Sequence, residues 1–157
     1  MSGLSFAGAL GQIPSGLFIL SVRQAEMETG MLASWVVQAG FEPPMLTVAV
    51  KLGRYVADWL TAGAPFVLNI IGEEHKSLIS RFGKGFEPGE LAFEGLNIER
   101  TVDQTPILAD ALGWLECRPM KHFDSGDHRI FLTEITAGEL AGSGKPYVHI
   151  RKNGLRY

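Results

Sequence analysis

A chain of 157 residues, 46% hydrophobic and 20% charged, has the size and composition of one folded domain, which excludes a disordered or low-complexity segment. A formal net charge of -3 provides no broad positive field, which argues against nucleic acid as a partner. The single cysteine, Cys117, excludes an intrachain disulfide, and with neither a leader-like segment nor an apolar run long enough for a membrane span, a soluble, reducing, cytoplasmic setting is expected.

Met1 to Gly3 reads as a start codon with a linker remnant, so residues 1–157 are expected to be one domain excised from a longer chain. From Leu4 to Ile13, Phe6, Ala9, Leu10 and Ile13 share a helical face, with Ser5 as cap and Pro14 as stop. Gly16 to Arg23 and Met31 to Ala39 are β-rich runs, separated by the polar stretch Gln24 to Gly30, which predicts a hairpin with a loose loop. Past Glu42-Pro43-Pro44, the apolar run Met45 to Val50 predicts a strand buried on both faces.

Arg54 to Ala62 carries Val56, Trp59 and Leu60 at helical spacing, and Pro65 to Ile71 returns to a strand. Glu73 to Phe82 predicts a helix with acids in its first turn and Gly83 as its stop. Lys84 to Asp103 reads as irregular, and Ala111 to Phe123 and Asp127 to Leu140 as two long strands joined by Asp124-Ser125-Gly126. A short strand is expected over Tyr147 to Arg151. Antiparallel strands with three short helices predict a mainly β fold, closed or nearly closed as a barrel to hide sheet edges.

The familiar motifs are missing. Gly83-Lys84-Gly85-Phe86-Glu87-Pro88-Gly89 has its third glycine one place late for a dinucleotide fingerprint and follows a helix rather than a strand. There is no GxxxxGK[ST] loop and no GxSxG elbow. His75, His122, His128 and His149 show no zinc-site spacing, so no metal is expected; His122 and His128 read as exposed histidines near a hairpin tip. Strand alternation also argues against Asp127 orienting its neighbour His128.

Four ordered segments carry a resemblance: Gly16-Leu17-Phe18-Ile19-Leu20, Gly30-Met31-Leu32-Ala33-Ser34-Trp35 leading to Glu42-Pro43-Pro44, Phe66-Val67-Leu68-Asn69-Ile70, and Gly126-Asp127-His128. Together they resemble the flavin reductase family, whose fold is an FMN-binding split β-barrel of Greek-key type, commonly a homodimer. RFGKGF and the ending HIRKNGLRY sharpen the resemblance to the C-terminal reductase module of cyanobacterial diflavin flavoproteins, or flavodiiron proteins. There the module follows a diiron domain and a flavodoxin-like domain.

The resemblance implies an NAD(P)H:FMN oxidoreductase module passing electrons to a flavodiiron core that reduces oxygen to water. It places Ala33, Ser34 and Trp35 along the flavin, and Lys51, Gly53 and Arg54 at the phosphate-side loop. Phe82, Gly83 and Lys84 fall beside the cofactor, and His128 near flavin and nicotinamide as the catalytic residue. Asn69, an amide within an apolar strand, either bonds the flavin or satisfies neighbouring backbone. Arg151, Lys152 and Arg156 form a basic end, suited to an NADPH phosphate or simply solvated. A stand-alone reductase releasing reduced flavin and a non-catalytic flavin- or haem-binding split barrel remain as alternatives, and saturable NAD(P)H oxidation with FMN would remove the second.

Overall fold

The computed structural model describes residues 5–157, so Met1 to Gly3 and the expected helix start at Leu4 lie outside the described residues. In chain order the described elements are α1 (Ala7–Gly11), β1 (Phe18–Gln24), β2 (Met27–Ala33), β3 (Val36–Phe41), β4 (Pro44–Lys51) and α2 (Tyr55–Thr61). They continue with β5 (Phe66–Ile70), α3 (Lys76–Gly83), β6 (Ile98–Arg100), β7 (Pro106–Leu108), β8 (Gly113–Ser125) and β9 (His128–Leu140). The fold is mainly β with short helices, as expected.

Seven strands form one antiparallel sheet in the order β2-β1-β5-β8-β9-β4-β3, and β6 pairs with β7 separately. Its edges are β2 and β3, yet only Ser34 and Trp35 separate them in the chain. Laid flat, the six inter-strand spacings of ~4.8 Å would hold the edges ~29 Å apart. Three peptide links reach only about 11 Å, so the sheet has to roll until its edges meet at this seam. The roll stops short of closure: β2 and β3 share no ladder, so of the closed or nearly closed barrel expected, the fully closed form is ruled out and the sheet is curled but open.

Period-two alternation divides the core between the two faces of β1 and β5. Leu20 and Val22 join Phe66, Leu68, Val48, Val50 and Phe131 inside the curl, where α2 adds Val56 and Leu60. Ile19 joins Leu17, Ile71, Leu78, Phe82 and Leu108 beneath α3. The hydrophobic face of α3 is therefore spent on the outer side of the sheet, with Leu78 and Phe82 buried.

Several expectations shift. The face of α1 stays largely in solvent, Phe6 and Ile13 being exposed, and Phe6 rather than Ser5 occupies the N-cap position, without a side-chain cap bond. The supposed loose loop contracts to Ala25-Glu26, because the Gln24–Met27 pairing extends the hairpin to its tip. β4 buries Leu46, Val48 and Val50 but leaves Met45, Thr47 and Ala49 half-buried, since its second face borders clefts. Glu73 and Glu74 precede α3 and leave its first turn without an acid. The β8–β9 turn is Gly126-Asp127, Ser125 pairing directly with His128. Near Tyr147 to Arg151 the expected strand is reduced to an isolated bridge between His149 and Ser15. Strand β7 went unforeseen, and β6 lies in the segment Lys84 to Asp103 that read as irregular. No described helix is long and apolar enough to cross a membrane.

Candidate functional site

Where β2 leaves one edge of the sheet and becomes β3 at the other, the backbone opens a cleft of about 320 Å³, within the usual range for small-ligand sites. The seam supplies Ala33, Ser34 and Trp35, and Trp35 O accepts a hydrogen bond from Ala49 N (3.0 Å), which fixes the seam against β4. An apolar wall comes from Leu17, Met31, Leu32, Ile79 and Phe82. Lys51, at the end of β4, and Arg54, just before α2, line the same cleft. Among the described residues neither cation forms an ion pair.

The structure thus brings together Ala33, Ser34, Trp35, Lys51, Arg54, Phe82 and Gly83 on one cleft. Gly53 and Lys84 line an adjoining hollow that shares Met31 and Arg54 with it. Lys84 lies over the Phe86 ring, 5.6 Å from its centroid. Phe82 is 1% exposed and packs against Phe86 and Phe93, so it serves core and cleft at once.

Asn69 sits apart. Fully buried, its Nδ2 donates to Ile19 O (2.9 Å) and Ser21 Oγ (2.6 Å), and its Oδ1 accepts from Leu108 N (2.8 Å). Of the two roles open to it, the geometry takes the second: its amide ties β5 to β1 and β7.

His128 lies behind the seam, 7% exposed, with its ring 4.5 Å from that of Trp35. Its Nδ1 is 2.7 Å from Asp127 Oδ1. A carboxylate only accepts, so Nδ1 carries a hydrogen and Nε2 of the neutral ring accepts from the Tyr157 hydroxyl at 3.3 Å. The bond to His128 is the main cause holding the Asp127 carboxyl below its ordinary pKa, with Lys51 a lesser one. Asp127 therefore does orient its neighbour; it belongs to the turn rather than the strand, so alternation does not separate the two. Nor are both tip histidines exposed: His128 is buried, while exposed His122 pairs with Phe131 across the hairpin.

Tyr147, His149 and Tyr157 also line the cleft, and the sequence reading missed all three. The start of their segment reads as a short strand, and its basic residues draw attention to charge instead. Arg151 turns inward: its guanidinium lies 5.5 Å from the centre of the Trp35 ring, and its Nη1 donates to Gly154 O and Arg156 O.

A family model described as "Flavin reductase like domain" matches residues 10–155. The chain belongs to that family. This flavin reductase-like domain is 40% identical over 151 residues to Diflavin flavoprotein A 1 of Synechocystis sp., covering 95% of the chain and 26% of that protein. With Putative diflavin flavoprotein A 3 of Nostoc sp. it shares 36% identity over 157 residues, covering 99% of the chain and 27% of that protein. The domain spans about a quarter of the length of these curated relatives. In fold it is similar to the Streptomyces globisporus C-1027 NADH:FAD oxidoreductase SgcE6, with a TM-score of 0.84 at 22% identity, covering 91% of this chain and 85% of that one. It is also similar to a flavin reductase domain protein from Arthrobacter sp. FB24, with a TM-score of 0.81 at 20% identity, covering 90% and 87%.

Proposed function

We propose that this domain is an NAD(P)H:FMN oxidoreductase module that takes a hydride onto bound FMN and passes electrons to a flavodiiron core for reduction of oxygen to water. The observation that carries the reading is the cleft itself: apolar side chains and two cations, neither in an ion pair among the described residues, line one space. A dianionic phosphate on a flat, largely apolar ring system needs that division of labour. The relatives named as diflavin flavoproteins support it, and SgcE6 in complex with NAD and FAD fragments supports its flavin and nicotinamide parts.

Lys51 and Arg54 would hold the phosphate, with Gly53 allowing close backbone approach at φ +89° and Lys84 adding charge from the adjoining hollow. Ser34 and the seam backbone would donate to the polar edge of the ring. Ala33, Phe82 and Gly83 would keep water from its face. When bound, the flavin supplies the hydride-accepting chemistry, and the protein's share is binding, alignment and exclusion of water. Asp127 fixes the His128 tautomer, leaving Nε2 to receive the N–H of a nicotinamide carboxamide. A Greek-key split barrel, a homodimer, and diiron and flavodoxin-like partner domains in a parent chain complete the proposal.

The deciding experiment is the visible spectrum of the chain after gel filtration with FMN, followed anaerobically by NADPH and then NADH. Retained flavin that bleaches with either nucleotide is the expected result. Retained flavin that neither nucleotide reduces would overturn the reductase reading. His128→Ala should weaken nicotinamide use more than FMN binding; equal loss of both would remove His128 from this role.

A further inference from the structure

We infer that the Gly154–Tyr157 stretch is a self-docked cover, in which Tyr157 holds the one ring nitrogen of His128 that a nicotinamide carboxamide can take. This deepens the function proposed above and rests on its assignment of His128. Asp127 occupies Nδ1, so Nε2 alone remains for a ligand, and the Tyr157 hydroxyl is on it at 3.3 Å. The same tyrosine lays its ring beside Trp35, with centroids 5.7 Å apart and planes tilted by 30°. A nicotinamide carboxamide would have to compete with that hydroxyl for Nε2.

The stretch is built to let it leave. Its root is pinned: Arg151 N donates to Gly11 O (2.9 Å) and Gly154 N to Ala7 O (2.7 Å), while His149 and Ser15 exchange a pair of backbone bonds. A Cβ on Gly154 would run into Leu10, so the root packs against α1 more closely than any other residue allows. Beyond Gly154 the hydrogen bonds are internal to the stretch and its root: Leu155 N to Asn153 Oδ1, Arg156 N to Asn153 O, and Arg151 Nη1 to Arg156 O. Tyr157 reaches across to the body of the domain through one long hydrogen bond and one tilted stack. Tyr157 is 78% exposed overall, so it has little buried surface to lose on opening.

A cover of this kind lowers apparent nicotinamide affinity by the fraction of time it is open, without altering alignment once the nucleotide is in place. The test uses the full 157-residue chain loaded with FMN, as wild type, Tyr157→Ser and Tyr157→Phe. Calorimetric titration with NAD+ and NADP+ reads binding without turnover, and anaerobic stopped-flow with NADH and NADPH reads half-saturation and limiting reduction rate separately. In Tyr157→Ser, affinity for the preferred nucleotide should rise about tenfold, equivalent to ~1.4 kcal/mol. Half-saturation should fall in step. Tyr157→Phe keeps the stack and loses the bond to Nε2, so it should fall between the two.

Unchanged or weakened nucleotide affinity in both variants, with flavin still bleached, would overturn the cover and leave the reductase reading standing. Absence of both nucleotide binding and flavin reduction in all three proteins would overturn the reading and the cover together. Reduction in Tyr157→Ser alone would be the strongest form of the expected result.

Discussion

Replacing Asn69 by leucine separates a structural amide from a ligand-binding one. The substitution nearly conserves volume, so no large cavity forms, but Leu108 N loses its acceptor at 2.8 Å and Ser21 Oγ its donor at 2.6 Å. Both groups are buried, Ser21 at 0% and Leu108 at 3% exposure, where water cannot replace the lost partner. An orphaned buried polar group costs ~1–3 kcal/mol, so the pair should cost about 3 kcal/mol in all. For a chain of this length that corresponds to a fall in Tm of roughly 6–12 °C. Urea denaturation should report the same loss as a lower midpoint at constant m-value, and Ser21→Ala in the leucine background should recover part of it. FMN affinity, measured where both proteins are fully folded, should be unchanged. A stability loss under ~0.5 kcal/mol, accompanied by much weaker FMN binding, would refute the reasoning and return Asn69 to the flavin.

Arg54→Ala should weaken FMN about 10- to 100-fold by equilibrium titration, the loss expected for a hydrogen bond to a charged group, and riboflavin far less, because riboflavin lacks the phosphate. In Glu28, the hydrogen bond from Arg100 is the main cause that holds the carboxyl below its ordinary 4.5, with Arg23 adding to it. A depressed folded pKa gives stability that is present above the unfolded value and lost as pH falls through the folded one. The advantage of wild type over Glu28→Gln, within ~1 kcal/mol because the pair is partly exposed, should therefore hold at pH 7 and vanish well below pH 4.5 in urea melts. Burial pushes the Cys117 thiol up to about 12, so at pH 8 a thiol reagent should modify the native chain far more slowly than the urea-unfolded one, and equal rates would contradict that burial.

Much of this architecture is legible in the sequence because hydrophobic period and turn chemistry agree. β1, β4, β5, α2 and the long β8–β9 hairpin all stand within a few residues of where periodicity puts them. What stays hidden is tertiary. Burial on one face of β4 could not be told from burial on two, because Met45, Thr47 and Ala49 are no more polar than a core strand tolerates. β7 is three residues long and starts with a proline, too short to carry a period. In the candidate site, the resemblance reached Ser34, Trp35, Lys51 and Arg54 with roles attached, but it took in His149 and Tyr157 only as part of the ending HIRKNGLRY, with no role, and left out Tyr147. Tyr147 and His149 sit two apart, as in an extended chain lining one wall, and that spacing was the one available signal. The Asp127–His128 contact defeated alternation because the boundary between turn and strand passes between the two residues.

The seam at Ser34 and Trp35 sets a rule for how chain length can vary in this fold. Removing one residue there would leave two peptide links, with a reach of about 7.6 Å, to join edges that now use three. The shortfall would have to come from unrolling the sheet or slipping a strand, and a one-residue slip turns every side chain of that strand to the opposite face. Glu87 to Leu91, by contrast, is exposed and lies outside the sheet, where even a doubling of loop length costs only ~0.6 kcal/mol. Related sequences should accordingly gain and lose residues freely in the second stretch and keep a fixed count across the first.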